Sequence, residues 1–329
     1  MAKIVVYDVA AEYGGAFFVL QAYFQKALED QENEYFFVVS KVELKSCRNI
    51  HIIKLQWVKK SWLHRLYCDY VYMPRLIERI DPIRVLSLQN MGIRYCNVLQ
   101  TVYVHNAIPF TEYQFQFLSD PYLWIYQNII GRMICDSLKD VDEIIVQNEW
   151  MRDAVVRECG ISNDSIMIDP VKVNVDEEKT RIRTKLTVFF YPAKAFSFKN
   201  HQIIIEACKR LNLEKKYSYK VAFTLTGKGK IEHRLYKEVQ KYKLPIEFVG
   251  FLDKKEVNGY YRKSILLFPS YIETVGLPLL EAMEYDAPII VSDCLYSRSI
   301  LENYDNVYFF EKDDCMNLAE CMRQAVLRY

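Results

Sequence analysis

The stretch from Phe268 to Asp293 narrows the fold more than any other part of the chain. Ile265 to Phe268 is a short apolar run closed by Pro269, the pattern of a buried strand. Glu273 to Gly276 reads as a loop. Pro278 suits the first turn of a helix, where its missing N–H costs nothing. Asp286-Ala287-Pro288 ends that helix, and the apolar run Ile289 to Val291 opens the next strand. The unit is strand, polar loop, helix, strand. The free N–H groups and positive dipole end of such a helix would hold an anion such as a diphosphate.

Two glutamates stand eight positions apart in this unit. Glu273 lies in the loop beyond the strand, and Glu281 about one turn into the helix. A carboxylate beside a phosphate site is repelled by it, so both acids would face hydroxyls flanking the phosphates. Hydroxyls on both sides of a diphosphate describe a nucleotide sugar. Two solvated glutamates near a helix start would give the same spacing, because acids are common there.

The whole string, Pro-Ser-x-x-Glu-Thr-x-Gly-Leu-Pro-Leu-x-Glu-Ala-Met followed by Pro-Ile-Ile-Val-Ser-Asp, resembles the E-x7-E signature of retaining glycosyltransferases of family 4. The resemblance implies the GT-B fold, two Rossmann-like α/β domains facing across a central cleft. It gives Glu273 the donor sugar and Glu281 the nucleotide ribose. It sets the backbone of Thr274, Val275, Gly276 and Leu277 against the sugar and phosphates.

A chain of 329 residues has room for two domains. A net charge of +1 gives no global pull toward nucleic acid. The nine cysteines include no C-x-x-C pair and the five histidines are dispersed, so neither a metal site nor a disulfide framework is expected. Ile4 to Val9 is too short for the apolar core of a secretory leader, and no run approaches the ~18 apolar residues of a membrane span. These features suit a cytoplasmic protein, with peripheral contact on the inner face of a membrane left open.

Residues 3–9 form a strand, followed by Glu12-Tyr13-Gly14-Gly15-Ala16 and a helix to about Glu29. The Gly14–Gly15 corner lets a backbone approach a phosphate, and a plain tight turn would look the same. It is not the dinucleotide fingerprint G-x-G-x-x-G. Gln56 to Arg79 interleaves aromatic and basic residues as an amphipathic helix, either packed on the sheet or set against an anionic lipid surface. Trp57, Lys59 and Lys60 are the residues expected at lipid. The strand Val98 to Val104 ends in His105, where α/β folds bind ligands, and the resemblance makes this a cleft histidine beside the donor. Phe110 to Trp124 is an aromatic stretch, with Phe110 expected on an acceptor or membrane lip. A helix over 125–139, a strand over 143–147 and a helix over 149–159 complete the half.

The expected boundaries are a first domain over 1–172, a hinge over 173–185 and a donor domain over 186–329. Lys199 precedes a helix expected from about Asn200, where a cation opposes the dipole unless an anion is present. The resemblance sets it on the donor diphosphate. The family's usual arginine six residues earlier is Ala193 here, with Lys194 adjacent as a substitute. Gly227 follows a strand over Tyr219–Thr226 and would approach the nucleotide, while Phe251 and Leu252 would lie along the base. The resemblance also implies a further helix crossing back onto the first domain, beyond the last helix of this sequence.

The expected function is metal-independent, retaining transfer of a hexosyl group from a nucleotide-diphosphate sugar to a hydroxyl of a glycan. The acceptor is expected to be lipid-linked, within capsule, O-antigen or exopolysaccharide assembly. No cofactor is called for, and the sequence is silent on oligomeric state. An inactive GT-B scaffold partnering another transferase is the rival reading, and the retention of Lys199, Glu273 and Glu281 argues against it.

Overall fold

The computed structural model describes residues 1–329 except Tyr13, Asn174, Glu177 and Lys215. The chain divides into two units, Met1–Pro170 and Val171–Tyr329. The first comprises β1 (Ala2–Asp8), α1 (Gly14–Glu29), β2 (Asn33–Val39), β3 (Ile50–Lys54), α2 (Trp62–Tyr67), α3 (Met73–Ile80), β4 (Arg84–Ser87), β5 (Leu99–Tyr103), α4 (Pro121–Ile125), α5 (Gly131–Leu138), β6 (Glu143–Val146), α6 (Glu149–Cys159) and β7 (Ile166–Ile168). Its strands form one parallel sheet in the order β3-β2-β1-β4-β5-β6-β7. Strands buried on both faces need continuous apolar runs, which β1 and β2 supply. Val5, Tyr7 and Val38 pack with Met73 and Ile77 on one face, and Val6, Phe37 and Val39 with Leu20 and Ala27 on the other. Chain order reverses between β1 and β4, in register at Val6 and Leu86.

The second unit comprises β8 (Thr187–Tyr191), α7 (His201–Glu214), β9 (Tyr219–Phe223), α8 (Lys230–Lys241), β10 (Ile246–Phe248), α9 (Lys254–Tyr261), β11 (Ile265–Phe268), α10 (Leu277–Glu284), β12 (Ile289–Ser292), α11 (Leu295–Ile300), β13 (Val307–Phe310) and α12 (Cys315–Arg328). Its parallel sheet runs β10-β9-β8-β11-β12-β13, reversing between β8 and β11. Open α/β sheets bind ligands beyond the carboxyl ends of the strands at such a reversal. Residues 173–185, expected as a hinge, include stretches tied to this unit. The Asp176 amide donates to the Tyr285 hydroxyl at 3.0 Å, and Arg181 Nη1 to the carbonyls of Tyr261 and Ser264 at 2.6 and 3.0 Å.

Several local expectations are corrected. Gln56–Arg79 is not one helix but a 3₁₀ turn (Gln56–Lys60), α2, a π-helical turn (Cys68–Tyr72) and α3. Ser61 is extended and caps α2, which separates Trp57 from the helix that follows. The Trp57 ring lies against Tyr67 and Tyr72, with centroids 5.9 and 5.5 Å apart, so much of it is spent on packing within the unit. A second π-helical turn (Tyr126–Ile130) joins α4 to α5. Phe110 is 0% exposed. It closes a 3₁₀ turn, Ile108–Phe110, that folds the ring into the core and leaves no lip contact to make. Exposure falls instead on Phe117, Leu118 and Tyr122. Among the described residues no helix is long and apolar enough to cross a membrane.

Candidate functional site

Two loops meet where the second sheet reverses. After β8 the chain runs through stacked rings of Phe196 and Phe198 into a 3₁₀ turn, Ser197–Lys199, and then Asn200 in the left-handed region. Asn200 lets the chain turn sharply, so α7 starts at His201 and Lys199 belongs to the turn before it. The Lys199 carbonyl accepts from the Tyr191 hydroxyl at 2.7 Å. After β11 the loop is held from beneath: the Ser270 carbonyl accepts from Ser292 Oγ at 2.8 Å and from the Tyr296 hydroxyl at 2.6 Å. The two loops are stitched together by the Tyr271 amide donating to the Phe198 carbonyl at 2.8 Å and by Asn200 Nδ2 donating to the Tyr271 hydroxyl at 2.7 Å.

This scaffold brings Lys199 Nζ onto Glu273 Oε1, although the residues are 74 positions apart. Both side chains are mostly covered, 17% and 12% exposed. The ammonium also lies 5.9 Å from the centroid of the Phe268 ring. Its charge, expected to need an external anion, is met in the structure by Glu273.

Gly276 precedes α10 at φ 67°, and a Cβ there would stand 2.9 Å from Ile300 Cδ1 and 3.3 Å from Leu279 Cδ1. Both backbone geometry and space therefore call for glycine. Its carbonyl accepts from the Leu279 amide at 2.8 Å. Thr274 and Val275 are half-buried in the loop, while Leu277 is exposed at the start of α10. Within α10, Glu281 Oε1 accepts from Lys254 Nζ at 2.5 Å. Burial, with Glu281 adding to it, pushes the Tyr261 phenol well above its ordinary pKa. Lys254 is the residue the sequence reading missed. Its signal was the Asp253–Glu256 capping box, which fixes the start of α9 and hence the lysine on its first turn.

The remaining predicted residues sort by unit. Lys194 is exposed in the loop after β8. The strand before Gly227 ends at Phe223, three residues earlier than expected, because Glu232 Oε2 takes the amides of Thr226 and Gly227 at 2.9 and 3.0 Å. The Gly227 N–H is thus already engaged. Phe251 follows Gly250 (φ 77°) and is 90% exposed, with Leu252 half-buried beside it. His201 is buried against Tyr191 and Phe223, and burial pushes its pKa down to about 3.

In the first unit, Gly14 and Gly15 are not a turn before α1 but its first residues, and a Cβ on Gly15 would meet nothing within 4 Å. Tyr13, beside them, lies outside the described residues. His105 Nε2 is 2.9 Å from the Leu88 carbonyl, its amide donates to Asn90 Oδ1 at 2.7 Å, and burial holds its pKa below the ordinary value. Lys59 and Lys60 are both exposed, and the Lys59 ammonium is engaged by the Ala10 carbonyl at 3.1 Å and by Glu12 at 3.0 Å.

Residues 173–328 match the family described as glycosyl transferases group 1. An uncharacterized 41.2 kDa protein in the cps region of Klebsiella pneumoniae is 25% identical over 230 residues, 67% of this chain and 62% of that protein, so the match spans less than two thirds of the relative's length. Among solved structures, sucrose-phosphate synthase from Thermosynechococcus elongatus aligns with TM-score 0.71 at 15% identity, covering 100% of this chain and 90% of that one. The lipopolysaccharide outer core galactosyltransferase WaaB aligns with TM-score 0.68 at 14% identity, over 99% and 90%. The Anabaena protein HepE in complex with UDP-glucose aligns with TM-score 0.65 at 11% identity, over 99% and 90%. The chain has the GT-B fold.

Proposed function

We propose that this chain, whose residues 173–328 belong to the glycosyl transferases of group 1, moves a sugar from a nucleotide-diphosphate sugar to a glycan hydroxyl with retention of configuration. The observation that carries the reading is the Lys199–Glu273 pair at the reversal of the second sheet. A donor diphosphate competes with Glu273 for Lys199. Once Lys199 turns to the phosphates, Glu273 is left free to accept hydrogen bonds from the sugar hydroxyls. Lys254 and Glu281 stand in the same relation: ribose hydroxyls displace Lys254, and the carboxylate holds the ribose. Each acid is held in place by a cation that the substrate replaces.

As the glycosidic carbon–oxygen bond breaks, negative charge grows on the leaving diphosphate. Lys199, aided by Lys194 and by the amides of Gly276 and Leu277, offsets it by preorganised electrostatics. The acceptor hydroxyl attacks from the leaving-group side and its proton passes to the departing phosphate. Phe251 offers an exposed ring for the base. Because HepE was solved with UDP-glucose, uridine is the first base to try. The cps-region relative and the lipopolysaccharide galactosyltransferase favour a cell-surface polysaccharide acceptor; its being lipid-linked and met at the inner face of the membrane is part of the proposal. Lys60 and the exposed Leu63 offer the membrane contact.

The test is a melting panel against UDP, GDP, dTDP and ADP, with and without EDTA. A ligand at a hundred times its dissociation constant adds ~2.7 kcal/mol, a shift of several degrees for a unit of this size. One nucleotide is expected to raise Tm, and Lys199→Ala and Glu281→Ala to abolish the rise. No rise with any nucleotide at millimolar concentration would overturn the reading.

A further inference from the structure

The loops carrying Lys199 and Glu273 stand at the carboxyl ends of the second sheet. A separate cavity, of ≈ 320 Å³, opens at the amino ends of the same strands. Thr187 begins β8 and Ile265 begins β11, Pro288 and Asn306 immediately precede β12 and β13, and all four line it. Ligands of open α/β sheets sit at the carboxyl ends, so this cavity has no part in the site described above.

Its lining is cationic. Arg181, Arg183, Lys263 and Arg328 stand around it, and Asp286 is the one acidic side chain with them among the described residues. Counting the α-carboxylate of Tyr329, which also lines the cavity, leaves four cations against two acids, an excess of two positive charges. The basic residues nearest in sequence are matched elsewhere, Lys179 with Glu284 and Arg262 with Glu178. The four lining cations form no ion pair with a described residue. Their partners are neutral: Lys263 lies over the Tyr260 ring, 4.8 Å from its centroid, and Arg328 Nη1 donates to the Tyr308 hydroxyl at 2.9 Å.

Arg181 is the most deeply set. The two carbonyls that take its Nη1, those of Tyr261 and Ser264, fix the guanidinium without neutralising it. Burial holds its pKa below the ordinary value, and Asp286 acts on it only from a distance. A half-buried charge with neutral partners is costly until an anion meets it.

The charge and the volume define the occupant. Arginine forks match phosphoryl oxygens two at a time, and lysine adds a point charge. A single carboxylate would leave one of the two surplus charges unmet, whereas a phosphoryl dianion meets both. The volume lies at the small end of the range for small-molecule sites.

We propose that this cavity binds a phosphoryl dianion, its oxygens taken by Arg181, Arg183 and Arg328 with Lys263 beside them. The same chemistry is offered by a small soluble phosphate and by a lipid headgroup. The site is independent of the transfer reading and lies at the other end of the sheet.

Phenylglyoxal modification of the full chain, with the modified arginines mapped by mass spectrometry, tests it. Inorganic pyrophosphate is the soluble probe, vesicles of phosphatidic acid in phosphatidylcholine are the headgroup probe, and sodium chloride at matched ionic strength is the control. At least one probe should slow modification of the exposed Arg183 and Arg328 about fivefold. The exposed Arg48 and Arg234 should keep their chloride rates. Protection by pyrophosphate assigns a soluble ligand, and protection by vesicles alone assigns a headgroup. The candidate site at the carboxyl ends is built on lysines, so pyrophosphate held there protects none of these arginines. Arg183 makes no hydrogen bond or ion pair with a described residue, so Arg183→Gln should melt as the wild type does. In that variant the protection of Arg328 should fall about fivefold. No protection by either probe, equal protection of Arg48 and Arg234, or undiminished protection of Arg328 in Arg183→Gln would overturn the proposal. A nucleotide-induced rise in Tm would leave the transfer reading standing in each of those cases.

Discussion

The two sheet reversals handle charge in opposite ways. In the second unit, the acids of the candidate site are matched one to one with lysines from neighbouring elements, Glu273 with Lys199 and Glu281 with Lys254. In the first unit, the acid at the end of β1 is buried and only half satisfied. Asp8 is 0% exposed; its Oδ1 accepts from the Ala10 and Ala11 amides at 3.1 and 2.9 Å, and its Oδ2 has no partner among the described residues. Burial raises its pKa to about 7 despite those amides and the cations Arg65 and Lys59. A paired acid is available to a ligand that can replace its partner. A buried acid next to a pocket instead shapes the loop and stays out of contact.

That contrast predicts opposite pH sensitivities. The largest effect expected is at His201. Its folded pKa is lowered to about 3 by burial, whereas the unfolded chain takes up that proton near 6.5. Between those values the unfolded state binds more protons, so stability is lost as pH falls from 6.5 toward 3, by up to ~5 kcal/mol in all. His201→Phe, which keeps a ring between Tyr191 and Phe223, should flatten this acid limb. Hydrogen exchange of the α7 amides at pH 4.5 and 7 measures it.

Asp8 works the other way. Its folded pKa, about 7, exceeds the unfolded value of 3.8, so the folded state holds the extra proton between them. Stability is then lost as pH rises through that window, by up to ~4 kcal/mol above pH 7. Asp8→Asn keeps the acceptor for Ala10 and Ala11 but has no proton to lose. It should gain on the wild type at pH 8 and not at pH 4, as read from exchange of the β1 amides. Equal shifts at both pH values would erase the distinction between the units.

Next in size is the ion pair. Glu273→Gln keeps the shape and releases Lys199, so transfer from UDP-glucose should fall about 10²- to 10³-fold while the affinity for UDP holds or rises. Loss of UDP affinity together with rate would show that Glu273 serves the fold rather than the sugar. Gly276→Ala should cost about 1–3 kcal/mol in denaturant unfolding, from the left-handed backbone and the contact with Ile300. The smallest stability effect is expected at Phe251→Ala, within about 0.5 kcal/mol because the ring is exposed. Its UDP affinity should nonetheless drop measurably by calorimetry.

The second unit was the legible one, for a physical reason. Its site hangs on a contiguous run, strand to loop to helix, in which Pro269, Gly276 and Pro278 mark the boundaries and carry their conformations with them. Lys254 escaped because its meeting with Glu281 depends on how α9 packs beside α10. In the first unit a pocket beyond β1 and β4 draws Ala10, Trp62, Arg65, Gln89 and Tyr122 from separate segments, and no spacing rule joins them. Phe110 and Trp57 misled for a related reason: an aromatic in an aromatic or basic stretch reads as exposed unless a 3₁₀ turn packs it against the unit, and hydrophobic periodicity does not detect such turns. The π-helical turns were invisible on the same ground, since an added residue simply blurs a 3.6-residue period.

Those two turns, which supply Asp69, Tyr126 and Ile130 to the first unit's pocket, give it a mode of inheritance unlike ordinary substitution. A π-helical turn amounts to one extra residue in an α-helix, and one residue corresponds to about 100° of helical rotation. A single-codon deletion within Cys68–Tyr72 or Tyr126–Ile130 would swing the pocket-facing side chains onto a different face while leaving every strand of the sheet in register. Descendants of this chain could exchange one set of wall residues for another in a single genetic event. Among such lineages, gap placement in these two helices would be a better guide to a rebuilt pocket wall than percentage identity.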